Sequence, residues 1–260
     1  MLNFITGLEE TGLYSLGYKI ASTLKFLISS TIMLSLIPLK IEKIGTPNAN
    51  RFYTKSLTYS SYLFAICLIG LSLFSLEIIK VFTKSIHYWG SVNLIPIISF
   101  AFMFGLMKDN VVIGLSIKKK TKIIGLLIFL ISMLNILLNA LLIPYFDAFG
   151  SAIATLISQL VFFILVLNQA QKQYPISYEL RKVSKLIILA AIIVVAGVLV
   201  TDWVLWLRLL IKAALFVSFP IILACIGFYE PVEIQSIKKI LQSWKSPKQL
   251  GTNILRLFNN

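Results

Sequence analysis

Acidic charge is what this sequence lacks most, with 10 Asp and Glu residues in 260 and a total charged content of 13%, against roughly 25% for a soluble domain. Histidine and cysteine are as scarce. One histidine, His87, and two cysteines, Cys67 and Cys225, both in apolar runs, are too little material for a disulfide framework, a zinc site or a Ser-His-Asp triad. There is no Gly-rich phosphate loop of the GxxxxGK type, no HExxH and no paired acid/base constellation, so neither an enzyme nor a bound cofactor or metal is expected. With 13 Gly and 8 Pro the chain is not collagenous or of low complexity. No signal-peptide pattern is visible in Met1 to Thr11, which carries Glu9 and Glu10 instead of a basic start and an apolar run.

What remains is apolar. Hydrophobic residues make up 58% of the chain and mean hydropathy is +0.90. These values predict an all-α integral membrane protein, since a lipid-exposed backbone must satisfy its own hydrogen bonds and the runs lack the alternation of barrel strands. Apolar segments of spanning length run at about Gly12–Leu39, Tyr59–Ile79, Ser91–Ile117, Ile123–Ile143, Phe149–Leu167, Leu186–Val200 and Val204–Phe228, giving about seven transmembrane helices. The last two read as a tight hairpin turning at Thr201–Asp202. The expected organisation is a bundle of about five helices over 1–171, an additional helix pair over 172–229, and a basic tail over 230–260. In that tail Ile237, Ile240, Leu241 and Trp244 recur at helical spacing among Lys238, Lys239 and Lys245, the pattern of an amphipathic helix on an anionic inner leaflet.

A net charge of +14, from 24 Lys and Arg, would suggest nucleic acid as the partner of a soluble protein. Here it belongs to the loops, and no nucleic-acid partner is expected. Lys40, Lys43, Arg51 and Lys55 follow the first span, Lys118, Lys119, Lys120 and Lys122 the third, and Lys172, Arg181, Lys182 and Lys185 the fifth. The tail adds Lys248 and Arg256 to its other lysines, while the alternate loops are nearly bare. By the positive-inside rule the N-terminus is expected outside and the C-terminus in the cytoplasm.

Ionisable groups inside spans are costly and concentrate where function is. Span one carries Lys19 and Lys25, with Lys25 near mid-membrane, and six helical residues set the two roughly 120° apart, on one broad cavity wall. Span three is interrupted by Lys108, Asp109 and Asn110, either within one long helix or at a helix break. Neighbours on a helix do not face each other, so Asp109 is expected to pair across the bundle, with Lys25 as the candidate, rather than with Lys108. Asn135 and Asn139 share a face of span four, and Ser158 and Gln159 lie inside span five. Such amides serve either as interhelical glue or as cavity contacts. Gly150, Ser151, Ala152, Ala154 and Thr155 open span five with a small-residue patch suited to close helix packing.

Two segments carry a resemblance. Glu9-Glu10-Thr11-Gly12-Leu13-Tyr14-Ser15-Leu16-Gly17-Tyr18-Lys19-Ile20-Ala21 resembles a stretch of the Wzx-type O-antigen and capsule polysaccharide flippases. So does the run from Lys119-Lys120-Thr121-Lys122 through Asn135, Asn139, Leu142-Ile143-Pro144-Tyr145 and Phe149-Gly150-Ser151-Ala152-Ile153-Ala154-Thr155. Such transporters are similar in fold to the multidrug/oligosaccharidyl-lipid/polysaccharide exporters, with about 14 spans in two six-helix lobes and an extra helix pair. The resemblance implies that this chain corresponds to spans eight to fourteen, with residues 1–171 a partial C-terminal lobe and a missing N-terminal lobe or a second subunit as partner. It implies a bacterial inner-membrane protein that flips a prenyl-diphosphate-linked oligosaccharide repeat unit, O-antigen or capsule, from the inner to the outer leaflet. Lys19 and Lys25 are the expected diphosphate contacts, with Asp109, Asn135 and Asn139 completing the expected substrate-binding set. The alternatives are a MATE-like drug or small-cation antiporter, which needs intramembrane acids, and a truncated membrane protein without transport activity.

Overall fold

The long apolar runs fold as helices in a computed structural model that describes residues 2–83, 85–201, 203–231 and 235. The expected tail helix at 232–244 and Asp202 of the expected turn lie outside the described residues. Six helical stretches among the described residues are long and apolar enough to cross a membrane.

The first begins after α1 (Leu2–Thr6) and a turn at Gly7, whose φ of 92° an L side chain rarely adopts. α2 (Leu8–Leu24) runs through a π-helical segment, Lys25–Ser30, into α3 (Thr31–Glu42), so one apolar helix extends over Leu8–Glu42. π-Helical turns inside α-helices are uncommon and widen the local backbone, and this one starts at Lys25. A turn with Gly45 at φ 79° leads to α4 (Ala49–Leu73). α4 begins at Ala49 rather than Tyr59, because its first turns bury Ala49 and Tyr53 despite their polar neighbours. Phe74 breaks the helix before α5 (Ser75–Phe82).

A 3₁₀ segment, Ile86–Asn93, leads into α6 (Leu94–Val111), which contains the whole Lys108-Asp109-Asn110 triplet in its last turn. Val112 ends it, and α7 (Ile113–Ile117) follows. Of the two readings of span three, the helix therefore carries the polar triplet and breaks just beyond it. α7 closes with Lys119 at φ 53°, where Lys120 N donates to Leu115 O at 3.0 Å and Lys119 N to Ser116 O at 3.0 Å, a Schellman arrangement without its usual glycine.

α8 (Thr121–Gln173) is 53 residues long and folds back on itself at Asp147, which stands at φ 48° and ψ −128°. Its two limbs are antiparallel. Asn135 Nδ2 donates to Ser158 Oγ at 3.2 Å, and Gly150 lies against the Leu142 backbone. Leu127 and Ile131 on the first limb share an apolar cluster with Phe162, Val166 and Ala170 on the second. The fourth and fifth expected spans are thus the two limbs of one folded element, closed by the small residues Gly150, Ser151, Ala152 and Ala154, all buried. α9 (Leu180–Leu199) and α10 (Leu205–Cys225) follow. The turn between them follows Val200 and includes Thr201.

The chain divides into two compact units, Met1–Phe216 and Val217–Asn260. In the first, α4 and α6 form the centre, with Leu57, Phe64, Leu68, Ile95, Ile98 and Met103 fully buried, and α2, α8 and α9 pack around them. α4 also buries hydroxyls at Thr54, Ser56, Thr58, Ser60 and Ser61. Several are satisfied by the helix itself, as when Ser60 Oγ donates to Ser56 O at 2.6 Å. In the second unit, α10 ends in a glycine-closed turn, with Gly227 at φ 74° and Phe228 N donating to Leu223 O at 3.0 Å.

Candidate functional site

Tyr14, Tyr18 and Lys25 recur four and then seven residues apart, which sets them on one face of the first helix. The rings of Tyr14 and Tyr18 lie 5.9 Å apart, and Tyr18 meets Phe102 of α6 edge-on at 5.4 Å. The Lys25 ammonium stands 5.2 Å from the centre of that same Phe102 ring. The quadrupole of an aromatic face replaces part of a cation's hydration, so the Phe102 ring favours the position of the Lys25 ammonium. Both Lys19 and Lys25 are exposed. The result is an aromatic strip ending in a lysine at the start of the π-helical turn, able to stack against the apolar face of a sugar and to meet an anion.

Asp109 departs from its expected pairing. It forms an ion pair with Lys108, not Lys25. The physical reason is that the triplet lies in the last turn of α6, partly exposed, where a long lysine arm can fold back onto the adjacent carboxylate. The Lys108 ammonium also lies 5.1 Å from the Phe162 ring centre. Asp109 borders a cavity of about 450 Å³ together with Met33, Ile37, Lys40 and Ser116, between α3 and the α6–α7 junction.

Asn135 and Asn139 are joined to each other. Asn139 Nδ2 donates to the Asn135 carbonyl at 2.8 Å and to its Oδ1 at 3.0 Å, while Asn135 reaches Ser158. Asn135 therefore ties the two α8 limbs together, and Asn139 braces it from the next turn of the same limb.

Three polar nodes escaped the sequence reading. Lys40, counted there as a loop charge, is 2% exposed and donates to Asn110 Oδ1 at 2.9 Å. Ser56 Oγ donates to the same oxygen at 3.0 Å, and Asn110 Nδ2 donates to Ser60 Oγ at 3.0 Å. Glu77 on α5 lies between Arg208 and Lys212 of α10, with Arg208 Nε 2.9 Å and Lys212 Nζ 3.0 Å from its oxygens. Glu179, just before α9, accepts from Lys55 at 3.1 and 3.2 Å, from Lys182 at 2.9 Å and from Thr58 Oγ1 at 3.3 Å. Burial pushes the Glu179 carboxyl up, but the two lysine hydrogen bonds and their charges outweigh it and hold the group below its ordinary value. The signal for these nodes was the occurrence of Asn110, Glu77 and Lys212 in or beside spans, but partners such as Lys40 and Glu77 lie 70 and 135 residues away.

No protein-family model matches the chain, and no curated protein sequence matches it. Its structure resembles the solved structure titled "Lipid II flippase MurJ, inward closed conformation", with a TM-score of 0.60 at 16% sequence identity over 85% of this chain. The chain spans about half the length of that protein, 51%. The shared feature is the fold, an all-α bundle whose long helices are apolar enough to cross a membrane.

Proposed function

We propose that this chain forms part of a membrane flippase that moves a prenyl-diphosphate-linked oligosaccharide from the inner to the outer leaflet of a bacterial cell membrane, with its N-terminus outside and its C-terminus in the cytoplasm. The observation that carries this reading is the Tyr14–Tyr18–Phe102–Lys25 strip, in which the buried Phe102 ring holds Tyr18 and the exposed Lys25 beside one another and so sets tyrosine rings next to a cation. Lys25 and Lys19 offer charge compensation to a diphosphate crossing a low-dielectric interior. The likeness in fold to a lipid II flippase agrees with this substrate class. In this reading Asp109 holds the Lys108 side chain beside the path through their ion pair, and Asn135, braced by Asn139, keeps the α8 limbs in register.

An antiporter for drugs or small cations is disfavoured by the state of the acids. Glu77 is engaged by Arg208 and Lys212, and Asp109 by Lys108, so each carboxylate already has a cation. In this reading a further lobe or subunit supplies the second wall of the path, in keeping with a chain that spans about half the length of the flippase whose fold it resembles.

The test is Lys25→Ala in the complete transporter, alongside Phe102→Leu. Both variants are expected to abolish surface glycan while the protein persists in the membrane. Normal glycan from Lys25→Ala at wild-type protein level would overturn the assignment.

A further inference from the structure

We propose that the cleft between α3 and α4 binds a lipid of net anionic, phosphate-bearing headgroup, with the headgroup in a basic cup at the α3–α4 turn and the chain in an apolar groove beside it. The cup, of about 430 Å³, is bounded by Lys43, Thr46, Asn48, Arg51 and Lys55. The groove, of about 470 Å³, is bounded by Ile32, Leu36, Tyr59 and Leu63. Phe52 and Lys55 are walls of both, so the two adjoin. Along α4, Arg51, Lys55, Tyr59 and Leu63 recur every four residues, so one face of the helix grades from cationic to apolar. Tyr53 Oη, donating to the Lys40 carbonyl at 2.9 Å, ties α4 to the end of α3 beside the cup.

The charges already have neighbours, and these define what each can do. Lys55 is held by Glu179 at 3.1 Å, with its ammonium 5.9 Å from the Tyr59 ring, and so forms a fixed wall. Lys43 lies 3.5 Å from Glu42, with both side chains well exposed. An exposed pair of that kind contributes little and yields readily to a phosphate. Arg51 brings a planar fork of donors that matches two phosphate oxygens at once. A soluble anion would use the cup and leave the groove empty, whereas a lipid uses both. The groove also stands apart from the Lys25–Phe102 strip, since its α3 residues begin at Thr31, beyond the π-helical turn. Identifying the lipid as the carrier of the transported oligosaccharide rests on the flippase reading, and in that case the cleft is a loading site used before the strip.

Binding is measured by native mass spectrometry on the detergent-solubilised full chain with three probes: a polyprenyl diphosphate, inorganic pyrophosphate and phosphatidylcholine. The double variant Lys43→Gln/Arg51→Gln is expected to retain about tenfold less polyprenyl diphosphate. Leu63→Trp, at an exposed groove position, is expected to lower lipid retention similarly while leaving pyrophosphate untouched. The control Lys118→Gln/Lys119→Gln/Lys120→Gln, in another basic turn, is expected to bind like wild type. Equal loss in that control, equal retention of phosphatidylcholine, or no effect of Leu63→Trp would each overturn the proposal. The measurement reads binding without transport, so its failure leaves the Lys25→Ala test standing.

Discussion

Lys212 sets its ammonium 3.1 and 3.0 Å from the two carboxylate oxygens of Glu77, a contact that links α10 to α5 across 135 residues of sequence. Arg208 shares the carboxylate and also donates to the Thr201 carbonyl at 2.9 Å. Lys212 is 1% and Arg208 7% exposed, so one carboxylate balances two buried cations. Removing it leaves both charges uncompensated in a low-dielectric setting. Glu77→Gln is therefore expected to cost about 3–5 kcal/mol, whereas Lys212→Met, which leaves Glu77 paired with Arg208, costs markedly less. Thermal unfolding of the purified protein in detergent measures both. An equal drop for the two variants would mean that lost packing, and not uncompensated charge, sets the effect.

The Lys40–Asn110 contact behaves in the same way with a neutral partner. Asn110 Oδ1 accepts from both Lys40 and Ser56, and its amide donates to Ser60 and to the Leu106 carbonyl. Asn110→Leu removes the side-chain acceptor for a buried ammonium and for the Ser56 hydroxyl, at an expected cost of about 2–4 kcal/mol. Lys40→Met keeps the length of the side chain and removes the charge, and it is expected to be milder. The comparison is read from unfolding midpoints at one pH, and the reverse order would show that Lys40 and not Asn110 organises the node.

Helices were legible because a long uniformly apolar run has few alternatives in a membrane, and the run at Ile123–Leu167 showed two passes. Its form as one folded element at Asp147 was not legible, since a φ of 48° at an aspartate carries no composition signal. Lys25 stood out with Lys19 as a cation in an apolar stretch, whereas Tyr14 and Tyr18 entered only as part of the Glu9–Ala21 stretch. Their partner Phe102 is one of many phenylalanines, and only the packing of α2 on α6 singles it out. Lys40 was misread for a related reason. Position after a span marks a lysine as a loop charge, yet its burial depends on Asn110 and Tyr53, which lie far along the chain.

The Glu179 node outside the spans gives a pH dependence. Its carboxyl is held below the ordinary value of 4.5 in the folded protein by hydrogen bonds from Lys182 and Lys55, against the opposing effect of burial. A depressed carboxyl contributes stability that is complete above the unfolded value and is lost as pH falls through the folded one. Wild-type unfolding midpoints are therefore expected to fall steeply below about pH 4.5, while Glu179→Gln starts lower and shows a shallower decline over the same range. Parallel curves for the two proteins would remove Glu179 from the acid response.

The α8 turn offers a pair of opposite predictions. Asp147 holds φ 48° and ψ −128°, a conformation costly for any residue with a Cβ, so Asp147→Gly is expected to raise stability by about 1 kcal/mol. Three residues on, a Cβ at Gly150 would fall against the Leu142 carbonyl, 2.6 Å from its carbon and 2.9 Å from Ile143 N. Backbone of the opposite limb cannot rotate aside, so Gly150→Ala must separate the limbs at their turn, at about 3 kcal/mol or more. Gly197 provides the contrast, because an added Cβ there meets only the Leu73 Cδ2 methyl, the far end of a flexible side chain. Gly197→Ala is accordingly expected to lower the unfolding midpoint less than Gly150→Ala. If Gly150→Ala instead unfolds like wild type, the two limbs of α8 are not in contact at the turn, and the Asn135–Ser158 bond loses the support that keeps it in register.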